Sequence, residues 1–120
     1  MDCLFCKITS DLSNSKVVYE DDVVAVVMDI NPVCDGHLLI IPKKHYTTVF
    51  DVPSDVLSYM YKIADKMVNL VMEKLNYKGA SIIFNYGDKQ LIKHVHMHIV
   101  PDFNKKCEKS LDEVHKILVG

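Results

Sequence analysis

Apolar and polar residues follow one another along the chain in patterns that predict five short strands. Runs rich in β-branched and other apolar residues are bounded by clusters of Gly, Pro, Asn and Asp, which is typical of strands joined by turns. Several of these runs follow one another directly, so we expect them to pair as an antiparallel sheet. The predicted strands cover residues 16–20, 23–29, 37–41, 80–86 and 94–100.

One long helical pattern lies between the third and fourth predicted strands. Apolar residues recur at three-to-four spacing from Ser54, the expected N-cap, to about Leu75, which places them on one buried face. Ser110 is expected to cap a short closing helix over residues 111–118. Strands interrupted by one helix predict an α+β fold. No repeat or flexible linker marks a boundary, so we expect a single domain over residues 1–120.

The charge of the chain argues against nucleic acid as a partner. The chain has 14 basic residues, all of them lysine, and 16 acidic residues, which gives a formal net charge of -2. A general nucleic-acid binder carries a strong basic excess to neutralise phosphates. The absence of arginine also removes the bidentate donor most often used to clamp phosphate, so any phosphate chemistry must use other groups.

The sequence does not predict export or insertion into a membrane. The N-terminal residues lack the basic start and the apolar stretch of a signal peptide, and the longest apolar run, residues 23–28, is too short to cross a bilayer. We therefore expect a cytoplasmic protein with no membrane partner. Its four cysteines are then expected to be free thiols or metal ligands.

The densest chemical signal is an alternation of histidine with apolar residues in the fifth predicted strand. Because successive side chains of a strand point to opposite faces, His94, His96 and His98 are expected to share one face. Three imidazoles in such an array are hard to assign to packing alone. They suit nucleophilic, acid–base or metal-binding roles, and the spacing leaves the choice open.

A second signal is the pair Cys3 and Cys6 near the N-terminus. Two cysteines at this spacing are compatible with a redox pair, with half of a zinc site, or with unremarkable free thiols. His45 follows a predicted strand end and is a natural further ligand to consider.

The block from His94 to Val100 resembles the signature of the histidine triad (HIT) family, and further blocks resemble that family in the same order. These blocks run from Asp2 to Ile8, from Met28 to Ile30 and from Gly36 to His45. The resemblance covers residues 2–101, leaves a tail of residues 102–120, and is closest to the HINT-like nucleotide hydrolase branch.

The resemblance implies a five-stranded antiparallel sheet with one long helix and short terminal helices, in a homodimer that binds purine nucleotides. It implies that His96 is a nucleophile that forms a covalent nucleotidyl-histidine at the α-phosphate, assisted by His98 and supported by His94. It assigns Asp29 to the ribose hydroxyls, although a turn residue is equally natural there. The nucleotide-binding positions that it implies are Leu4, Phe5, Ile8, Val27, Asp29, Ile30, Asn85 and Gln90.

The apolar members of that set could equally be core, and the two amides could equally cap turns. By resemblance to zinc-containing members of bacterial type, a structural zinc ion is expected on a closed set of four ligands. These ligands would be Cys3, Cys6, His45 and His94.

Two departures from the family pattern bear on catalysis. The loop before Gln90 is shorter than usual by about two residues, and Leu91 stands where a hydroxyl-bearing residue often assists the leaving group. The leading hypothesis is a purine nucleoside phosphoramidase or nucleotidyl hydrolase. The alternatives are a dinucleoside polyphosphate hydrolase, a hydrolase with a catalytic metal on the three histidines, and a zinc-stabilised nucleotide-binding protein with little turnover.

Overall fold

The computed structural model describes residues 3–120, and its strands form one five-stranded antiparallel sheet. The strand order is β1-β2-β3-β5-β4, so β1 and β4 are the edges. Asp2, where the predicted core begins, lies outside the described residues. The α+β prediction is confirmed. The strands are β1 (Val17–Glu20), β2 (Val24–Met28), β3 (Leu38–Pro42), β4 (Ser81–Phe84) and β5 (Met97–Val100).

The helices also follow the prediction, with one difference at a cap. Pro53, not Ser54, occupies the N-cap of the long helix and makes no side-chain capping bond, while Asn76 ends that helix in the left-handed conformation at φ 60. Ser110 and Glu113 form the reciprocal capping box of the last helix. The helices are α1 (Leu4–Ser10), α2 (Ser54–Leu75) and α3 (Leu111–Val119). No helix within residues 3–120 is both long and apolar enough to span a bilayer.

Helix α2 packs its apolar stripe across one face of the sheet. Met60 and Ile63 are almost fully buried and belong to the same cluster as Val26, Ile40 and Met97 of the central strands. Because this cluster is closely packed, truncating Ile63 to alanine would cost about 2–5 kcal/mol of folding free energy. This face is the main hydrophobic core.

The other face of the sheet carries α1 and the candidate site. Phe5 of α1 packs against Val27, Leu39 and Ile41, and Cys3 lies in the same small cluster. The two central strands β2 and β3 are therefore buried on both faces, which explains why every residue of each is buried. Their nearly continuous apolar sequence reflects this double burial.

The turn between β2 and β3 brings His37 to the start of β3. Gly36 has a φ of +87, and a Cβ atom at this position would lie 2.7 Å from Leu75 Cδ1. Both the conformation and the close approach therefore favour glycine. Leu39 pairs with His98, so His37, which precedes β3 by one residue and Leu39 by two, lies diagonally across from His98 on the same face.

The C-terminal segment is tied to the rest of the fold at two places. The buried carboxylate of Asp35 accepts hydrogen bonds from the backbone N–H groups of Glu108 and Lys109 just before α3. Val114 and Leu118 of α3 lie in the main hydrophobic cluster. Residues 102–120 therefore pack with the sheet and α2, although their separation as a tail stays a prediction from the family resemblance.

Candidate functional site

Strand β5 begins later than predicted, and this separates the three histidines of the motif. Only His98 lies inside β5, while His94 and His96 precede it in irregular backbone. The reason is a hydrogen bond of 2.7 Å from the Val95 N–H to the Tyr46 carbonyl, which draws the chain toward the loop after β3. The expectation that the three share one strand face is therefore wrong. His96 and His98 line one cavity, whereas His94 is fully buried beside it.

The cavity has a volume of about 750 Å³, which is in the range of small-molecule sites. Nine residues assigned to nucleotide binding or catalysis by the family resemblance line it, namely Asn85 and eight others. Ile30 is 77% exposed and Leu4 is 53% exposed, so part of the lining is apolar surface open to solvent. Those eight residues are Leu4, Phe5, Ile8, Val27, Asp29, Ile30, His96 and His98.

Gln90 does not line this cavity. Its side chain is buried, and Nε2 donates to the carbonyls of Thr47 at 2.6 Å and Ile92 at 3.0 Å, while Oε1 has no hydrogen-bond partner among the described residues. A short 3-10 turn at Gly87–Lys89 ends at Gln90 and directs its side chain inward. The structure therefore does not support the predicted contact of Gln90 with phosphate, and it favours a role in holding the loop that contains Thr47.

The orientation of His96 leaves one ring nitrogen available for chemistry. Nδ1 lies 2.9 Å from the His94 carbonyl, and because a carbonyl only accepts, Nδ1 carries the proton and Nε2 keeps its lone pair. Burial lowers the pKa of His96, which favours the neutral imidazole. The ring of Phe5 meets it edge-on, with ring centroids 4.8 Å apart. His96 is thus held at the cavity wall as a neutral imidazole whose Nε2 keeps its lone pair.

His98 takes part in a chain of directed hydrogen bonds that includes a histidine missed by the sequence analysis. The Val33 N–H donates to Nδ1 of His37 at 3.1 Å, so the His37 proton is on Nε2, which lies 2.9 Å from Nδ1 of His98. His98 accepts there and carries its own proton on Nε2. We call His37 and His98, with the Val33 N–H, the histidine chain. Burial lowers the pKa of His98 to about 4.

Asp29 accepts a hydrogen bond within the turn after β2 and also lines the cavity. Its Oδ1 accepts from the Asn31 N–H at 2.8 Å, as a turn residue does, and its Oδ2 lies 3.4 Å from Nε2 of His37. The carboxylate also lines the cavity. The two interpretations of Asp29 from the sequence are therefore compatible.

The remaining histidine of the motif belongs to a second group, the Cys/His cluster of Cys3, Cys6, His45 and His94. Nδ1 of His94 lies 3.3 Å from Sγ of Cys3, 3.5 Å from Sγ of Cys6 and 3.1 Å from Nδ1 of His45. Sγ of Cys6 lies 3.3 Å from Nδ1 of His45, and all four donor atoms lie within 4.8 Å of one another. The cysteines are free thiols.

The donor set of the Cys/His cluster fits a tetrahedral zinc ion. Zn–N and Zn–S bonds place neighbouring donors about 3.3–3.8 Å apart, close to the separations seen here. Nε2 of His94 lies 2.8 Å from the Pro42 carbonyl and therefore donates to it, which leaves Nδ1 unprotonated toward the cluster. Cys3, Cys6, His45 and His94 can together hold the ion with no open position, as a structural site requires.

The cavity wall near the shortened loop offers few proton donors. Leu91 lines the cavity and is 89% exposed. Nζ of Lys93 donates to the carbonyls of Gly87 and Gln90, which ties it to the loop backbone. Lys89, in the same loop, lines the cavity. The loop thus presents an apolar side chain where the family often has a hydroxyl.

Comparison with known proteins agrees with this architecture. Residues 11–105 match the HIT domain family. An uncharacterised HIT-like protein of Methanocaldococcus jannaschii is 40% identical, and the alignment covers 98% of this chain and 99% of that protein. An adenylylsulfatase of Arabidopsis thaliana is 35% identical over 88% of this chain, which spans 55% of that longer protein.

A solved structure resembles the whole fold. A zinc-bound histidine triad family protein from Mycobacterium smegmatis superposes with a TM-score of 0.88 at 29% identity, over 98% of this chain and 91% of that chain. The sequence match and the structural match together show that the chain belongs to the HIT family.

Proposed function

We propose that the protein is a nucleotidyl hydrolase that cleaves a purine nucleotide at its α-phosphate through His96 and releases a nucleoside monophosphate. The main support for this proposal is the 2.9 Å contact between Nδ1 of His96 and the His94 carbonyl, which leaves Nε2 as a lone-pair donor at the cavity wall. Membership of the HIT family and the likeness to an adenylylsulfatase support a hydrolase that acts on nucleotides.

The first step forms a bond between Nε2 of His96 and the α-phosphorus and breaks the bond from phosphorus to the leaving group. The leaving group departs with the bonding electron pair, and the His96 ring becomes cationic while Nδ1 keeps its proton on the His94 carbonyl. His98 donates its Nε2 proton as a hydrogen bond to the phosphate oxygens, which stabilises the charge that develops there. Water then attacks phosphorus, the P–N bond breaks, and one proton is released with the nucleoside monophosphate.

The rest of the cavity lining supports a purine nucleotide as the ligand. The side chains of Leu4, Phe5 and Ile30 offer an apolar surface for the base, part of which is solvent-exposed in the free protein. Asp29 and Asn85 both line the cavity, and in this proposal the Asp29 carboxylate accepts hydrogen bonds from the ribose hydroxyls while the Asn85 amide donates to phosphate. No arginine is required for this mode of binding.

Leu91 favours leaving groups that depart as stable anions. An amine must gain a proton to leave, and Leu91 has none to give, whereas sulfate or a phosphate ester leaves as an anion. Adenylyl sulfate and dinucleoside polyphosphates are therefore candidate substrates beside adenosine phosphoramidate. The Arabidopsis relative, an adenylylsulfatase, points to the first of these.

We also propose that the protein holds a structural zinc ion and forms a homodimer. Zinc on the Cys/His cluster would supply structural cross-linking. The outer edge of β4 has no strand partner among the described residues, and Tyr61 and Ile82 are 47% and 42% exposed near it. We propose that this edge and α2 form the interface of a homodimer, which light scattering of the protein in solution would test.

The decisive experiment is to trap the covalent adduct. Rapid quench of the protein with adenylyl sulfate or adenosine phosphoramidate, followed by intact-mass analysis, is expected to show a protein that carries one AMP. His96→Ala should form no adduct and turn over at least about 10³-fold more slowly. His115→Ala is the matched control, because His115 does not line the cavity. Equal rates for wild type and His96→Ala would refute the proposal.

A further inference from the structure

The nucleotide cavity and the Cys/His cluster share one short segment of the chain. Cys3 caps α1 and Cys6 lies within it, and both turn toward His45 and His94. Leu4 and Phe5, between these two cysteines, line the cavity. One turn of helix therefore supplies half of the donors of the cluster and part of the wall that faces a nucleotide.

His94 is a second link between the nucleotide cavity and the Cys/His cluster. Its ring donates to the Pro42 carbonyl at 2.8 Å and presents Nδ1 to the cysteines, while its backbone carbonyl accepts the Nδ1 proton of His96 at 2.9 Å. A movement of the His94 ring that shifts the His94 backbone therefore also shifts the carbonyl that fixes the proton of His96 on Nδ1.

Phe5 links α1 to His94 and His96 through ring contacts. Its ring meets His96 edge-on at 4.8 Å between ring centroids and His94 at 6.0 Å. It is 4% exposed and packs in the same cluster as Cys3. A displacement of α1 would therefore be transmitted directly to both imidazoles, because closely packed side chains do not deform independently.

We propose that Cys3, Cys6, His45 and His94 are positioning residues for nucleotide binding, so that zinc and nucleotide bind the chain cooperatively. This rests on the proposed function, because it requires that the cavity takes a nucleotide. Zinc on the four donors holds α1 and the His94 carbonyl in the arrangement that the nucleotide needs. By linkage, a nucleotide must then raise the affinity for zinc by the same factor by which zinc raises the affinity for the nucleotide.

The first test measures AMP affinity by calorimetry at defined zinc loading. Zinc-loaded wild type is compared with zinc-free protein and with Cys6→Ser, which keeps a small side chain on α1 but weakens the donor set. We expect AMP to bind about 10-fold more weakly in both, within the usual range of coupling between sites. Cys107→Ser is the matched control, because Cys107 is an exposed thiol that contacts the Pro32 carbonyl instead of the cavity or the cluster. Circular dichroism reports whether each sample is folded.

The second test keeps the protein metal-loaded throughout, so that unfolding of zinc-free protein cannot mimic coupling. Cobalt replaces zinc, and its visible absorption bands report the geometry of two sulfur and two nitrogen donors. AMP is expected to shift these bands in wild type and to shift them less in Phe5→Leu. Unchanged bands on saturation with AMP would overturn the proposed coupling and leave the hydrolase proposal intact. Absence of AMP binding to the zinc-loaded protein would instead refute the nucleotide site itself.

Discussion

Two groups of histidines lie side by side in this protein, and they differ in how their ring nitrogens are satisfied. In the Cys/His cluster, Nδ1 atoms of His45 and His94 and two thiols converge on one point, which is the arrangement that a cation stabilises. In the histidine chain, each proton is directed from one group to the next, from Val33 through His37 to His98. The same side chain thus serves as a metal ligand in one place and as an oriented hydrogen-bond donor in the other.

Within these two groups of histidines, the largest expected effect comes from replacing His98, the last member of the histidine chain. His98→Asn eliminates the Nε2 donor to phosphate, and kcat/KM should fall by about 10²–10³-fold, as for the loss of one donor to a developing oxyanion. Elemental analysis should find the zinc content unchanged, because His98 is not part of the Cys/His cluster. His115→Asn serves as the control. A decrease of only a few-fold would mean that His98 does not contact the reacting phosphate.

The next effect tests His37 as a positioning residue. His37→Phe removes the donor that fixes the tautomer of His98, and kcat should fall by about 10–100-fold with a smaller change in KM. Nitrogen NMR of the His98 ring should show that the proton is no longer confined to Nε2. His37→Gln, whose amide can still donate, should recover part of the rate. If the phenylalanine and glutamine variants behave alike, the ring contact matters more than the proton.

Loss of a donor from the Cys/His cluster should lower the thermal stability of the protein. His45→Ala removes one donor of the Cys/His cluster, so the protein should retain less zinc and its thermal midpoint should fall by on the order of 10 °C. Calorimetry with zinc analysis measures both quantities. Wild type stripped of zinc should match the variant, and a variant as stable as zinc-loaded wild type would show that the cluster carries no structural ion.

The smallest effect is the pH dependence of stability. The pKa of His98 is lowered from its ordinary value of 6.5 to about 4 by burial, so the unfolded chain takes up a proton at higher pH than the folded one. The contribution of His98 to the free energy of unfolding should therefore be constant above pH 6.5 and decrease as the pH falls from 6.5 toward about 4. Denaturant titrations over this interval measure the slope, which His98→Asn should reduce.

Local patterns in the sequence predicted the elements well because they depend on neighbouring residues. The apolar stripe of α2 placed its bounds at Ser54 and Leu75, and Ser110 capped α3 as expected. The nucleotide-binding and metal positions came from the family resemblance, and most of them meet at one cavity or one cluster.

The errors concern contacts between segments that are distant in the sequence. The start of β5 depends on the Tyr46 carbonyl, and the place of Gln90 depends on the Thr47 carbonyl, both of which belong to another loop. His37 was missed because its partner is set by the pairing of Leu39 with His98, and a strand pattern alone does not give the register between strands. The one available signal was a histidine at the start of the third predicted strand, directly after a turn-rich segment.

The two edge strands of the sheet have different surroundings, and this limits how copies of the chain can pair with one another. At β1, α3 lies against the strand, and His115 donates to the Val17 carbonyl at 2.8 Å. At β4, the outer row of backbone groups has no strand beside it within residues 3–120. Growth of a filament needs two open edges per subunit, whereas one open edge is consumed when two copies pair. Under the pairing proposed above, strand addition at β4 would end at two subunits, because α3 lies against the other edge strand.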